Sequence, residues 1–362
     1  MKEKKLRIHV VGTPRNASTD IIAMDPFAMV SYYLTTFLHR EGYEVHYYGF
    51  KESTVECKKK WNCGDIKHHQ KYNTVNYEKE HWTEHHEGNA IFFNKASNHI
   101  LKNYIKGDII ICMWSPQVDN IVELYQAKGK DSPKIIIDGH LGHRVPSLKT
   151  QFHVWASEST RHWCYGMLDL KDYWHDATIF PMANVMENFE YSEKKEGYFL
   201  FMARKIEGKG LGIFLELARD FPEKRFIVAG QGDHPYTFPD NVKDVGLLNV
   251  KQRKEYLKNA TAVVSASFYA EPFGLTVVEA GLSGTPVITT DHGGYTETVK
   301  HGYNGFRCSY YNDFVNAVKN IDTLKAADCK KSAMRFTAKE LIKDWKTYLE
   351  RINRDGWYSL DK

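Results

Sequence analysis

Short apolar runs alternate with stretches of helical period along most of this chain, and that alternation limits the fold more than any other feature. Residues 6–11, 26–40 and 43–48 read as strand, helix and strand, the order of a parallel sheet with helical crossovers. A helix near 90–104 and strands at 108–113, 134–138 and 152–156 continue the series. Between them, residues 51–89 are rich in Lys, His, Glu, Asn and Trp without a clear period, and read as an inserted surface excursion. A second series has strands at 198–203, 225–229, 261–265 and 286–290, with helices at 211–220, 251–259 and 275–283.

Two such series in 362 residues exceed what one hydrophobic core ordinarily spans, so two domains are expected. The polar stretch at 182–197, with Glu-Lys-Lys-Glu at 193–196, is the expected connection. It places an N-terminal domain at 1–185 and a second domain at 186–338. Residues 339–352 have the pattern of an amphipathic helix, and 339–362 is expected to pack back on the N-terminal domain. The predicted class is α/β: two Rossmann-like, doubly wound parallel-sheet domains facing a cleft, with ligands at the carboxyl ends of the strands.

The bulk numbers exclude several alternatives. Hydrophobic residues make up 42% and charged residues 26%, an ordinary globular composition. The net charge of +4 gives no general reason to expect a nucleic-acid or membrane partner. The first eleven residues lack the apolar stretch of a signal peptide, and no run approaches the roughly 20 residues that cross a bilayer. Cys57, Cys63, Cys112, Cys164, Cys308 and Cys329 form no Cys-x-x-Cys pair. These features predict a cytoplasmic protein without a transmembrane segment.

The most specific segment is Glu271-Pro272-Phe273-Gly274-Leu275-Thr276-Val277-Val278-Glu279, which straddles a strand-to-helix turn. Phe273, Gly274 and Leu275 would present free N–H groups at a helix start, a favourable place for phosphate. Glu271 lies just outside that helix. Glu279 lies inside it, and its side chain leans back towards the start, within reach of ribose hydroxyls. A cap-region acid and a solvated helix residue remain the plainer reading of the two glutamates. Arg204 and Lys209 follow the strand at 198–203, where two cations can hold a diphosphate and stabilise the charge of a departing nucleotide. A solvated turn closed by Gly208 and Gly210 is the alternative. Gly230 and Gly12 each follow a strand as well.

From residue 198 to about 307 these stations resemble, in order, family 4 of the retaining glycosyltransferases, also called glycosyl transferases group 1, which have the GT-B fold. They are Arg204 with Lys209, Gly230-Gln231-Gly232, the Glu271 to Glu279 segment, Gly284-Thr-Pro-Val-Ile, Gly293-Gly294-Tyr-Thr-Glu297 and Gly302-Tyr-Asn-Gly305. The resemblance implies transfer from a nucleotide-sugar, UDP-sugar being the first expectation, to a hydroxyl of a saccharide or glycoconjugate. Retention at the anomeric carbon and no obligatory divalent metal are also implied. Arg204 and Lys209 would bind the donor diphosphate, Glu271 the transferred sugar and Glu279 the ribose, with Phe273 to Leu275 supplying backbone donors. His140, or else His143, matches a histidine that many members place near the donor sugar. Gly12-Thr13-Pro14-Arg15 departs from the Gly-Gly pair common in the family's first loop.

Three other readings stay open. His81-Trp82-Thr83-Glu84-His85 fits the pattern of inverted zinc peptidases, in a chain with 17 histidines. Lys58-Lys59-Lys60-Trp61 suits a hydroxylated nucleic-acid base as acceptor, or simply a solvated charge run. A catalytically silent nucleotide-sugar-binding module would keep the fold alone.

Overall fold

In the computed structural model the chain forms two compact units. One holds Met1–Val75, His81–Ala183 and Ala338–Lys362, and the other is built on Asn184–Thr337. The structure describes residues 6–14, 16–19, 26–65, 67, 87–139, 142, 145–171, 175–182, 188–232 and 234–355.

The first unit contains β1 (Arg7–Val11), α1 (Pro26–Arg40), β2 (Glu44–Phe50), β3 (Lys59–Gly64), α2 (Glu87–Asn103), β4 (Ile109–Cys112), α3 (Ser115–Ala127), β5 (Ile135–Asp138), β6 (Phe152–Trp155), α4 (Glu158–Leu168) and β7 (Ala177–Thr178). The strands form one sheet in the order β3-β2-β1-β4-β5-β6-β7, every pair parallel. Ile109, Ile110, Ile111 and Cys112 are wholly buried, as a central strand covered on both faces requires.

The second unit contains β8 (Tyr198–Met202), α5 (Leu211–Asp220), β9 (Arg225–Ala229), β10 (Val242–Gly246), α6 (Val250–Asn259), β11 (Ala262–Ser265), α7 (Leu275–Leu282), β12 (Val287–Thr290), α8 (Tyr295–Thr298), β13 (Gly305–Cys308), α9 (Tyr311–Asn320) and α10 (Ala326–Met334). Its sheet, β10-β9-β8-β11-β12-β13, is also parallel throughout. Successive side chains of β8 serve opposite faces. Phe199 and Phe201 pack with Leu211, Phe214 and Phe226, whereas Tyr198, Leu200 and Met202 pack with Leu257, Val277 and Ala280. A final helix, α11 (Ala338–Asp355), belongs to the first unit and packs on α1. It buries Leu341, Ile342, Trp345, Tyr348, Leu349 and Ile352, a single stripe at helical spacing.

Both sheets reverse their strand order at one place, between β1 and β4 and between β8 and β11. Connections leave such neighbours in opposite directions, so a crevice opens at their carboxyl ends. In the second unit, Arg204 and Lys209 follow β8, and Glu271 follows β11.

Every interior strand coincides with a run expected from sequence, while the four sheet edges, β3, β7, β10 and β13, do not. An edge strand is held through its backbone on one side only, so its side chains need not be apolar. The expectation of a surface excursion over 51–89 is corrected in part by β3, which pairs with β2 and carries exposed Lys59 and Lys60. Charge on an edge is the usual protection against further strand pairing. Among the described residues no helix is long and apolar enough to cross a membrane.

One buried polar cluster ties the first sheet together. Asp108, at the entry to β4, accepts hydrogen bonds from Arg7 Nε at 2.9 Å and the Ile105 N–H at 2.9 Å, and lies 2.9 Å from His9 Nε2. Burial pushes its carboxyl up, but the bonds from His9, Arg7 and Ile105 outweigh this and hold it below the ordinary carboxylate range. Asp108 therefore contributes stability in full above its unfolded pKa, and loses it as pH falls through the lower folded value. Asp108→Ala, which leaves Arg7 and His9 without their acceptor, is expected to lower the unfolding free energy at pH 7 by about 3 kcal/mol in a urea titration. The gap to the unmodified chain should narrow in strong acid.

Candidate active site

The site in the second unit is assembled from the two loops at its switch point. After β8 the chain continues beside β9: the Ala203 N–H bonds to Ala229 O at 3.1 Å and the Lys205 N–H to Gln231 O at 2.7 Å. A single 3-10 turn, Glu207–Lys209, follows, and the Phe268 N–H bonds to Gly208 O at 2.9 Å. That bond joins the β8 loop to the loop after β11 and delivers Lys209 to Glu271.

Lys209 Nζ forms an ion pair and hydrogen bond with Glu271 Oε1. The side chains are 17% and 12% exposed, so the pair is largely removed from water. Ser267 Oγ donates to the same oxygen at 2.9 Å, and the ammonium lies 4.4 Å from the centre of the Tyr269 ring. Burial pushes the Glu271 carboxyl up, but the Lys209 charge and the bonds from Lys209, Ser267 and Tyr269 together hold it below the ordinary range. Burial lowers the Lys209 ammonium, Glu271 partly restores it, and Arg204 adds repulsion. Glu271 is thus kept as an anion that only accepts hydrogen bonds. Arg204 is exposed, and among the described residues its guanidinium makes no hydrogen bond or ion pair.

The Glu271 loop is fixed from behind by Gly293 and Gly294. The Gly294 N–H bonds to Glu271 O at 2.6 Å. A Cβ on Gly294 would lie 2.5 Å from Pro272 O and 2.7 Å from Phe273 Cα, so only glycine permits this approach. Phe273 is buried edge-on against Phe336, with ring centres 5.4 Å apart. Gly274, at φ 88°, turns the chain into α7, and a Cβ there would meet Tyr295 Cε1 at 2.6 Å. Among the described residues, the N–H groups of Gly274, Leu275 and Thr276 have no acceptor. They form the open positive end of α7.

Glu279, further along α7, is 4% exposed. It is not a solvated residue. Arg253 of α6 donates to its Oε2 from Nε at 3.0 Å and also from Nη2, while Oε1 makes no hydrogen bond among the described residues. The carboxylate is therefore clamped on one oxygen and open on the other.

Arg204, Lys209, Gly230, Glu271, Phe273, Gly274, Leu275 and Glu279 all lie in the second unit, in or beside the loops that follow β8, β9 and β11. Lys209 and Glu271 are in contact, and Glu279 is held separately by Arg253. Gly12 lies in the first unit, buried against Tyr47 and Ser31. His140, His143 and the His81 to His85 motif lie outside the described residues. Among the described residues no group of three or more His, Cys, Asp or Glu side chains is placed to hold a metal ion. Sequence reasoning missed Arg253, Ser267 and Tyr295. Arg253 sits in a polar helix with no local signature, and Ser267 and Tyr295, whose hydroxyl lies 2.6 Å from Ser265 Oγ, matter only through tertiary contacts.

Residues 186–340 match the family described as glycosyl transferases group 1. An uncharacterised glycosyltransferase of Methanocaldococcus jannaschii is 32% identical over 122 residues, which are 30% of this chain and 31% of that protein. The chain thus spans about a third of the length of that relative. Among solved structures, a glycosyltransferase involved in avilamycin A biosynthesis superposes with a TM-score of 0.65 at 17% identity, covering 96% of this chain and 98% of its own. An Anabaena protein, HepE, solved in complex with UDP-glucose, gives a TM-score of 0.64 at 13% identity, covering 96% and 100%. The family match lies over the unit that carries the site above: residues 186–340 match the glycosyl transferases group 1 family, and the chain has the GT-B fold.

Proposed function

We propose that this protein transfers a sugar from a nucleoside-diphosphate donor to a hydroxyl of a saccharide or glycoconjugate, with retention at the anomeric carbon and without an obligatory divalent metal. The observation that carries the reading is the Lys209–Glu271 pair at the switch point, with exposed Arg204 on the Lys209 loop and, just beyond Glu271 in the chain, a start of α7 whose N–H groups have no acceptor among the described residues. Diphosphate oxygens accept hydrogen bonds from the free N–H groups of α7 and neutralise Arg204 and Lys209. As the bond from sugar to phosphate breaks, negative charge grows on the departing nucleotide, and cations already in place stabilise it without reorganisation.

Lys209 can serve both partners. Its ammonium carries three donors, so it can keep Glu271 while taking a phosphate oxygen. The ionised Glu271 accepts from hydroxyls of the transferred sugar and orients it. Glu279 begins five residues beyond Gly274, about 7 Å along the helix axis, a spacing that suits a ribose beyond the phosphates. Its open oxygen accepts from a ribose hydroxyl while Arg253 holds the other. A uridine donor is supported by the UDP-glucose in the Anabaena neighbour. His140 keeps the place near the donor sugar that the family resemblance implies, and Gly230 and Gly12, each following a strand, are assigned to donor binding.

The reading is tested by thermal shift and nucleotide release over UDP-, GDP- and ADP-sugars, with and without EDTA. One nucleoside class should stabilise the protein and be slowly hydrolysed, unaffected by the chelator. Absence of a shift with every nucleoside diphosphate would refute it.

Two mutational outcomes are expected. Glu271→Ala and Arg204→Ala both remove transfer, by about a hundredfold or more in kcat/KM. Circular dichroism should show an intact fold, and donor affinity should fall less in Glu271→Ala than in Arg204→Ala. Arg253→Ala releases the Glu279 carboxylate and is expected to weaken the nucleotide about tenfold. It should also erase the preference for the ribonucleotide over its 2′-deoxy form, measured by calorimetry, whereas Arg253→Lys keeps part of that preference.

A further inference from the structure

The second unit has another concave surface, apart from the Lys209 and Glu271 site. A groove of about 640 Å³ is lined by residues of α8, of the turn that follows it, of β13 and of the end of α10, a volume within the range of small-molecule sites. Its charged lining is one-sided: Lys300, Arg307, Lys331 and Arg335, with His301, against the single carboxylate of Glu297.

Internal compensation is thin. Arg307 lies 3.3 Å from Asp291 and donates to Thr296 O at 3.3 Å, but its Nε is buried without a partner. Arg335 donates to the backbone oxygen of Glu297 and rests 4.3 Å from the centre of the Phe336 ring. Burial lowers its pKa, and the Glu297 charge only partly restores it. Lys300 lies 4.9 Å from the centre of the Tyr303 ring, and among the described residues neither Lys300 nor Lys331 forms an ion pair. Gathering like charges around a concavity, one of them partly desolvated, is unfavourable unless an anion enters.

We propose that this groove binds a multiply charged, phosphate-bearing anion, separately from the nucleotide site. Guanidinium forks and ammonium groups converging from three segments, the turn after α8, β13 and the end of α10, match phosphate oxygens, which accept from several directions at once. The source is either a soluble phosphorylated molecule or a phospholipid headgroup, and the chemistry of recognition is the same for both.

The test titrates inorganic pyrophosphate into the full-length protein in the presence of saturating UDP. Binding that persists under UDP, weakens about tenfold in Lys300→Gln/Lys331→Gln and is unchanged in Arg204→Ala supports the groove. Both lysines are exposed and free of ion pairs, so the double variant should fold normally. Were UDP not to bind at all, the donor reading would fail, but the dependence of pyrophosphate binding on the two lysines would still report on the groove. Sedimentation with phosphatidylglycerol vesicles separates the sources: retention lost in the double variant indicates a headgroup, and pyrophosphate binding without retention indicates a soluble ligand. Equal pyrophosphate and vesicle binding by the double variant and the unmodified protein, or no binding of either by both, would overturn the proposal.

Discussion

A lysine and a glutamate drawn out of water, Lys209 and Glu271, are held together where the second sheet winds apart. Such a pair is poor at stabilising a fold, because desolvating two charges costs about as much as their attraction returns. What it does achieve is electrostatic preparation. Glu271 stays ionised in a largely buried place, with Lys209 beside the carboxylate. Ser267 and Tyr269 fix the carboxylate further, so that it presents acceptors in a set direction.

The surrounding backbone exists in this form because certain side chains are missing. Gly294 lets the turn before α8 press against Glu271, Pro272 and Phe273, and Gly274 fits under the Tyr295 ring. Any larger residue at either place would push the loop away, and with it the carboxylate. The same helix then serves twice. Its start offers N–H groups without acceptors among the described residues, and its second turn carries Glu279, clamped by Arg253. An anion-ready end and a single-oxygen acceptor on one rigid element hold their spacing without needing a flexible loop.

Much of this was legible beforehand, for reasons that differ by element. Interior strands such as Ile109–Cys112 and Val287–Thr290 are covered on both faces and must be apolar throughout, so they stand out in the sequence. Lys59–Gly64 and Val242–Gly246 are edges, bound by backbone hydrogen bonds that any side chain permits, and they carry no such mark. The site followed the same division. Glu271 through Glu279 was readable because a strand-to-helix turn with glycine and flanking carboxylates has local geometry. The Arg253 clamp was not, since it joins residues 26 positions apart on two different helices.

The sequence by itself therefore determined the α/β class, the two series of strands and the strand-to-helix turn that carries Glu271 and Glu279, because burial and turn geometry act on neighbouring positions. Only the tertiary structure decided which charge meets which. It paired Lys209 with Glu271, gave Glu279 to Arg253 and left Arg204 open to solvent. Partner choice among charges depends on distances across strands and helices and on which groups lose their water, and neither is written in the order of residues.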